Sequence, residues 1–92
     1  MAERYVLVRW PDGTAQRIYS PATIADEFFT AGQRMPVVDF VDRTRQALGI
    51  ASDRVKEAYG YPCGRAARSL AFVEARAAVQ PAGDVVVEAI EA

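Results

Sequence analysis

The sequence predicts a small α+β domain that spans residues 1–92, with elements in the order ββαααβ: an N-terminal β-hairpin, two or three helices, and a C-terminal strand that joins the sheet of the hairpin. Three observations support this class. Strand-like segments flank a Pro-Asp-Gly turn near the N-terminus, helical periodicity runs through the middle of the chain, and a valine-rich segment follows it. The 51% hydrophobic and 25% charged fractions are ordinary for one globular domain.

The hairpin is the first predicted element. Arg4–Trp10 is rich in β-branched and aromatic residues and is predicted to be the first strand. Pro11-Asp12-Gly13 consists of residues that are favoured in turns, and Thr14–Tyr19 is predicted to be the second strand. Proline presets φ at the first loop position and glycine accepts the left-handed conformation at the last, which predicts a three-residue loop with a glycine bulge. In this register Val6 opposes Ile18 on a face that we expect to be core. The opposite face is mixed, with aromatic rings and guanidinium groups from Tyr5, Tyr19, Arg9 and Arg17.

Two helices should follow the hairpin. Ser20-Pro21 predicts a helix start, because serine caps helices and proline is tolerated at the first helical position. This helix should include Thr23–Phe29. The longest helical pattern keeps its phase from about Val37 to Tyr59, and this favours one continuous helix over a break at Gly49.

The remaining elements are a helix and a strand. Gly60 should end the long helix in a left-handed conformation, and Pro62 prevents its continuation. The last helix is predicted from about Gly64 to Val79. The valine-rich segment Asp84–Glu91 is predicted to be a strand, and the hairpin is the sheet that it is expected to join.

The composition disfavours most kinds of catalytic site. The chain has no histidine, which removes the commonest general base and any Ser-His or Cys-His pair. It has one cysteine, which excludes an intramolecular disulfide and a CxxC metal knuckle. The paired carboxylates lie on helical faces that we expect to be solvated. We therefore expect no enzyme activity, no catalytic residue, no cofactor and no metal.

The sequence also bears on location and charge. The N-terminus carries no apolar signal segment and no run of residues approaches a membrane span, so we expect a cytoplasmic protein that makes no membrane contact. The net charge of −1 provides no general attraction for nucleic acid. Three accounts of the mixed face are equally good: the acidic strand with Glu88 and Glu91 lies beside it and neutralises it, helices cover it, or a second subunit covers it. A nucleic-acid-binding regulator is therefore the least favoured hypothesis.

The single cysteine has two interpretations. It lies at the expected start of the last helix, where unpaired backbone N–H groups and the helix dipole favour a thiolate. A small-molecule or anion site would use Cys63, Gly64, Arg65 and Arg68. The favoured alternative is a corner between two helices, in which a lone cysteine acts as a small apolar residue.

A second candidate is an interaction surface. Phe28, Phe29 and Phe40 belong to a dense apolar cluster, most of which core packing explains. Any part of it left exposed, together with the mixed face, would suit a partner protein or a homodimer.

Several short blocks of the chain, in their order and spacing, carry a resemblance to a known family. They are Arg9-Trp10-Pro11-Asp12-Gly13, then Tyr19-Ser20-Pro21, then Gly32-Gln33 before Pro36-Val37, and last Ile50–Val55 leading to Tyr59-Gly60 and Cys63. From about Arg4 to Ala78 the chain resembles a family of small bacterial nitrogen starvation response proteins. The genes of that family lie in a cluster with a nitrilase, a radical SAM protein, an acetyltransferase, an AIR-synthase-like protein and a flavoprotein.

The resemblance implies a cytoplasmic accessory role in nitrogen acquisition, such as the assimilation of nitrile or cyanide nitrogen. It offers no set of catalytic residues to transfer to this chain. The expected partner is an enzyme of the same gene cluster or a second copy of the chain.

Overall fold

The computed structural model describes residues 2–92, which form one antiparallel sheet and three helices. The elements are β1 (Arg4–Arg9), β2 (Ala15–Ser20), α1 (Ala25–Phe28), β3 (Arg34–Pro36), α2 (Val37–Tyr59), α3 (Gly64–Ala77) and β4 (Asp84–Glu91). The strand order is β2-β1-β4-β3. The α+β class and the C-terminal strand in the sheet of the hairpin are confirmed, while the additional strand β3 makes the order ββαβααβ.

The hairpin has the predicted register. Val6 opposes Ile18 and Tyr5 opposes Tyr19. The backbone N–H of Trp10 donates to the carbonyl of Thr14 at 2.8 Å, and Gly13 takes a positive φ of 89° between them. The loop is also held by its own side chains, because the carboxylate of Asp12 accepts from the N–H of Thr14 at 2.9 Å and from its hydroxyl at 2.6 Å.

Strand β4 lies in the middle of the sheet. It pairs with β1 along one edge and with β3 along the other, and a bulge interrupts its register with β1 between Leu7 and Val8. Strand β3 was not predicted because its three residues, Arg34–Pro36, include an arginine and a proline and are too few to establish an alternating pattern. Its position depends on β4: Gly32 donates to the carbonyl of Val87 at 2.7 Å, a contact between residues far apart in sequence.

The long helix α2 has the predicted bounds and continues through Gly49. Gly60 follows it with φ 85°, and its N–H bonds to the carbonyl of Lys56 at 2.8 Å, as a left-handed helix cap does. Helix α3 ends at Ala77, two residues before the predicted Val79, with a final turn around Gln80.

The first helix was predicted too long and with the wrong cap. Helix α1 covers only Ala25–Phe28, and its N-cap residue, Ile24, makes no side-chain cap. The hydroxyl of Ser20 instead donates to the carbonyl of Ala22 at 2.9 Å. Ser20 is the last residue of β2, so its hydroxyl is buried at a strand end, five residues before the helix begins.

The core lies between one face of the sheet and the helices. Phe40 contacts Trp10 edge-to-face with centroids 5.4 Å apart, and it also lies 5.5 Å from Phe29. Phe29 and Phe40 are 5% and 0% exposed, so their assignment to an interaction surface was wrong. Their rings face the sheet because contact with the sheet removes the apolar surface of α1 and α2 from water, which is favourable. Phe28 is half-buried and packs against the same core.

Candidate functional site

Strand alternation divides the sheet into a buried face and a face without a helix layer. The buried face carries Val6, Val8, Ile18, Val85 and Val87, which pack against side chains of α2 and α3. Their neighbours along each strand point the other way. We call that second side the open sheet face and define it by Tyr5, Leu7, Arg9, Arg17, Tyr19, Arg34, Asp84, Val86, Glu88, Ala89 and Glu91.

The centre of the open sheet face is apolar. Leu7 opposes Ala89 in the register, and Val86 opposes Arg9 one row away. These three apolar side chains are half-buried by their strand neighbours rather than covered by another layer. The four residues predicted for the mixed face, which surround this centre, are thereby placed on one surface: Tyr5, Arg9, Arg17 and Tyr19.

Arginines stack on the tyrosines of the open sheet face. The guanidinium carbon of Arg17 lies 3.7 Å from the ring centroid of Tyr5, and that of Arg65 lies 3.7 Å from the ring of Tyr19. The two rings contact each other edge-on at 5.6 Å. This arrangement holds two positive charges flat against the β1–β2 half of the sheet. Arg65 comes from α3, so that helix reaches the open sheet face at one edge.

Glu3 links the tyrosine and arginine stacks. The hydroxyl of Tyr19 donates to Glu3 Oε1 at 3.2 Å, and a guanidinium nitrogen of Arg65 lies 3.9 Å from the same oxygen. Burial of the ring, and then the nearby Glu3 carboxylate, raise the pKa of Tyr19 above its ordinary value. On the other side of the sheet face, Arg9 Nε bonds Glu88 Oε2 at 3.3 Å, which confirms that β4 brings acidic groups beside the arginines.

The second candidate is a cleft at the corner between α2 and α3. Gly60 ends α2, and Tyr61 and Pro62 turn the chain so that Cys63 becomes the N-cap residue of α3. The cleft has a volume of about 470 Å³, and we call it the corner cleft. Its lining is made by Glu3, Tyr19, Pro21, Val55, Tyr59, Tyr61, Pro62, Cys63, Gly64, Arg65 and Arg68.

All four residues predicted for a thiol or anion site line the corner cleft. Cys63 is half-buried and makes no side-chain cap bond to α3. A Cβ atom placed on Gly64 would meet no atom of another part of the chain within 4 Å, so a ligand has room to approach the backbone on that side. Arg68 is exposed, whereas the guanidinium of Arg65 is held by Tyr19 and Glu3. The arrangement offers positive charge and N–H donors to an anion.

The ionisable groups that line the corner cleft belong to four residue types. Its ionisable lining consists of one carboxylate, three tyrosines, one thiol and two guanidinium groups, and the carboxylate is engaged by Tyr19 and Arg65. Across residues 2–92, no group of three or more acidic or sulfur ligands is placed to hold a metal ion.

An apolar flank of α3 was missed by the sequence reasoning. Phe72 and Val79 are 61% and 75% exposed, and shallow clefts lined by Gln16, Arg17 and Phe72 connect this flank to strand β2. Arg76 fixes the helix beside the hairpin loop through a 3.0 Å bond to the Thr14 hydroxyl. The available signal was the seven-residue separation of Phe72 and Val79, which puts them together outside the buried stripe of Ala66, Leu70, Val73 and Ala77.

Three comparisons bear on this architecture. A family model described as nitrogen starvation-induced protein NitG matches residues 5–90, which includes both candidate surfaces except Glu3 of the corner cleft and Glu91 of the open sheet face. Neither the curated proteins nor the solved structures contain a significant match. Over residues 2–92, none of the helices combines the length and apolar character that crossing a membrane requires.

Proposed function

The chain belongs to the NitG family of nitrogen starvation-induced proteins, and from this premise we propose that it is a non-enzymatic accessory protein that binds another protein through the open sheet face. Its setting would be the cytoplasm during nitrogen starvation. The partner would be an enzyme of the nitrilase-type gene cluster that the sequence resemblance implies, or a second copy of the chain.

The observation that carries this proposal is the makeup of the open sheet face. Leu7, Val86 and Ala89 form an apolar centre, and tyrosines and arginines surround it. Tyrosine and arginine are enriched in protein interfaces, where they contribute much of the binding free energy. An antiparallel sheet that only faces water would carry polar residues at those central positions.

The edges of the same sheet are poorly suited to binding. Helix α3 runs beside β2, and Arg76 and Gln80 hold it against the hairpin loop. The other edge strand, β3, is three residues long and ends in proline. These features favour binding by the face over addition of a partner strand at an edge.

The proposal is tested by capture experiments with the purified enzymes of the gene cluster. The chain is immobilised and each enzyme is offered at micromolar concentration, with Arg17→Glu as the surface variant and Lys56→Glu as the matched control. Lys56 lies on the exposed side of α2, away from the sheet, and its substitution changes the net charge equally. We expect capture that Arg17→Glu abolishes and Lys56→Glu preserves. The proposal fails if no enzyme is captured and the chain is also a monomer at every concentration.

The corner cleft supports a second candidate function, the binding of a small anionic molecule. The supporting observation is that a 470 Å³ cleft brings together the guanidinium groups of Arg65 and Arg68 and the open backbone at Gly64. Titration with inorganic phosphate and with small carboxylates, followed by amide chemical shifts, tests it. Shifts confined to the first turn of α3 that disappear in Arg68→Ala support the candidate. Uniform or absent shifts, with an ordinary rate of thiol modification at Cys63, reject it.

A further inference from the structure

The charges on the open sheet face are divided between its two halves. The β1–β2 half carries the guanidinium groups of Arg9, Arg17 and Arg65, two of which lie flat on tyrosine rings. The β4–β3 half carries the carboxylates of Asp84, Glu88 and Glu91 and one guanidinium, that of Arg34. The face therefore has a basic half and a half in which acidic groups outnumber basic ones, which we call the acidic half; the line between β1 and β4 separates them.

Two of these charges have no partner of opposite sign in the part of the chain that the structure describes. Among residues 2–92, no carboxylate lies within 4.0 Å of the Arg17 guanidinium and no cation lies within 4.0 Å of the Glu91 carboxylate. Arg17 lies over the ring of Tyr5, and Tyr5 is the register partner of Glu91. Arg17 itself belongs to the row of Leu7 and Ala89, but its guanidinium lies over the row of Tyr5 and Glu91, on the opposite side of the midline from Glu91.

We propose that the open sheet face binds the open sheet face of a second copy about a two-fold axis that runs parallel to the strands. This inference rests on the proposed function, because it names the occupant of the same protein-binding surface. Rotation about that axis places the basic half of each copy over the acidic half of the other. Arg17, held over Tyr5, then faces Glu91 of the second copy, and Leu7 faces Ala89.

The direction of the axis follows from the charges. A two-fold axis perpendicular to the strands, in the plane between the sheets, would place β2 against β2 and β4 against β4. Arg17 and Arg65 would then face their own counterparts, and like charges brought together at an interface oppose association. The axis along the strands instead brings the basic half of each copy over the acidic half of the other, and it satisfies the requirement that a two-fold interface be self-complementary.

The size of the surface predicts the strength of the dimer. Four strands about 4.8 Å apart, with about six residues of about 3.4 Å each, cover about 400 Å² of sheet in each copy. With its side chains, the pair of faces buries about 1,000 Å² of accessible surface, which is at the lower end for a specific interface. We therefore expect a reversible dimer with a dissociation constant on the order of micromolar.

The test is sedimentation equilibrium across concentrations that bracket the micromolar range. Arg17→Glu and Glu91→Arg should each weaken the dimer by about tenfold or more, because each variant brings two pairs of like charges together. The double variant exchanges the two charges and should restore the dimer to within about threefold of the wild type. Lys56→Glu should have no effect, and circular dichroism checks that each variant is folded.

Each result has a separate meaning for the two proposals. A monomer at all concentrations overturns the dimer, while capture of a cluster enzyme that Arg17→Glu abolishes would leave the proposed function standing. A dimer that neither single charge reversal weakens, or that the double variant does not recover, overturns the proposed axis. Because the double variant has the net charge of the wild type, the effect of net charge is judged from Lys56→Glu, which has the same net charge as Arg17→Glu and should not weaken the dimer.

Discussion

Substitution by alanine should change the stability of the protein in opposite directions at two glycines, one inside the long helix α2 and one directly after it. Gly49 lies in the middle of α2 on its exposed side, and a Cβ atom placed there meets no atom within 4 Å. Gly60 lies just after the helix, also with nothing within 4 Å of a Cβ atom, but with φ of 85°. Because neither site has a steric neighbour, the effect of alanine at each position depends on backbone conformation alone.

The expected magnitudes follow from those conformations. Alanine is favoured over glycine by about 1 kcal/mol inside a helix, so Gly49→Ala should raise the free energy of unfolding by about that amount. An L-residue in the left-handed region costs about 1–2 kcal/mol, partly offset by the smaller entropy of its unfolded chain, so Gly60→Ala should lower it by about 1 kcal/mol. In a domain of this size, 1 kcal/mol corresponds to a change in Tm of about 4–8 °C.

The double variant supplies an internal check. The two positions are eleven residues apart on one helix, which is about 16 Å, and substitutions so far apart add without coupling. The double variant should therefore have nearly the Tm of the wild type.

Thermal and urea unfolding followed by circular dichroism measure these changes, at one fixed protein concentration because self-association also changes Tm. The reasoning is refuted if Gly49→Ala destabilises the protein, which would mean that α2 is interrupted at that residue. It is equally refuted if Gly60→Ala leaves the stability unchanged.

Three further predictions concern the core, the tyrosine cluster and the hairpin loop. Phe40→Ala should cost about 3–5 kcal/mol of stability while the exposed Phe72→Ala stays within about 0.5 kcal/mol, and similar losses in urea unfolding would contradict the assignment of core and surface. Tyr19 should ionise at a higher pH than an ordinary tyrosine, and Glu3→Gln should lower its pKa in an ultraviolet titration assigned with Tyr19→Phe; a higher pKa in Glu3→Gln would oppose this. The pKa of Asp12 is held low by hydrogen bonds from the loop, so its contribution to stability is present above pH of about 4 and is lost as the pH falls through the lowered pKa. Asp12→Asn should therefore be less stable than wild type at neutral pH, with a difference that shrinks in acid, and a constant difference in urea midpoint would contradict it.

The parts of the fold that could be predicted are those determined by local signals. The loop Pro11-Asp12-Gly13 and the alternation beside it determine the hairpin register, and Gly60 marks the end of α2. Strand β3 could not be predicted because its pairing is supplied by β4, about fifty residues later. The prediction of a helix cap at Ser20 was wrong for a related reason. A serine hydroxyl can form a hydrogen bond at the end of a strand or at the start of a helix, and the tertiary structure decides which of the two occurs.

The candidate surfaces show a similar limit. Alternation correctly brought Tyr5, Tyr19 and Arg17 to one face, because a hairpin register determines which side each residue takes. The sequence did not show whether Phe29 and Phe40 face the core of the domain or a partner protein. Hydrophobicity predicts that a side chain is buried, but it does not say which neighbouring surface buries it. The stacking of Arg17 and Arg65 on tyrosine rings depends on side-chain rotamers, which the sequence pattern does not contain.

The central position of β4 has a consequence for synthesis of the chain. The hairpin, the helices and β3 all leave the ribosome before Asp84–Glu91, yet β1 and β3 are joined only through that last strand. Until it arrives, the inner edge of β1 displays unpaired N–H and C=O groups to any strand nearby. Closing the sheet also requires contact between residues about eighty positions apart, which slows folding relative to local pairing. The nascent chain is therefore most vulnerable to exchange of its terminal strand with a neighbouring copy in the interval just before its own β4 docks.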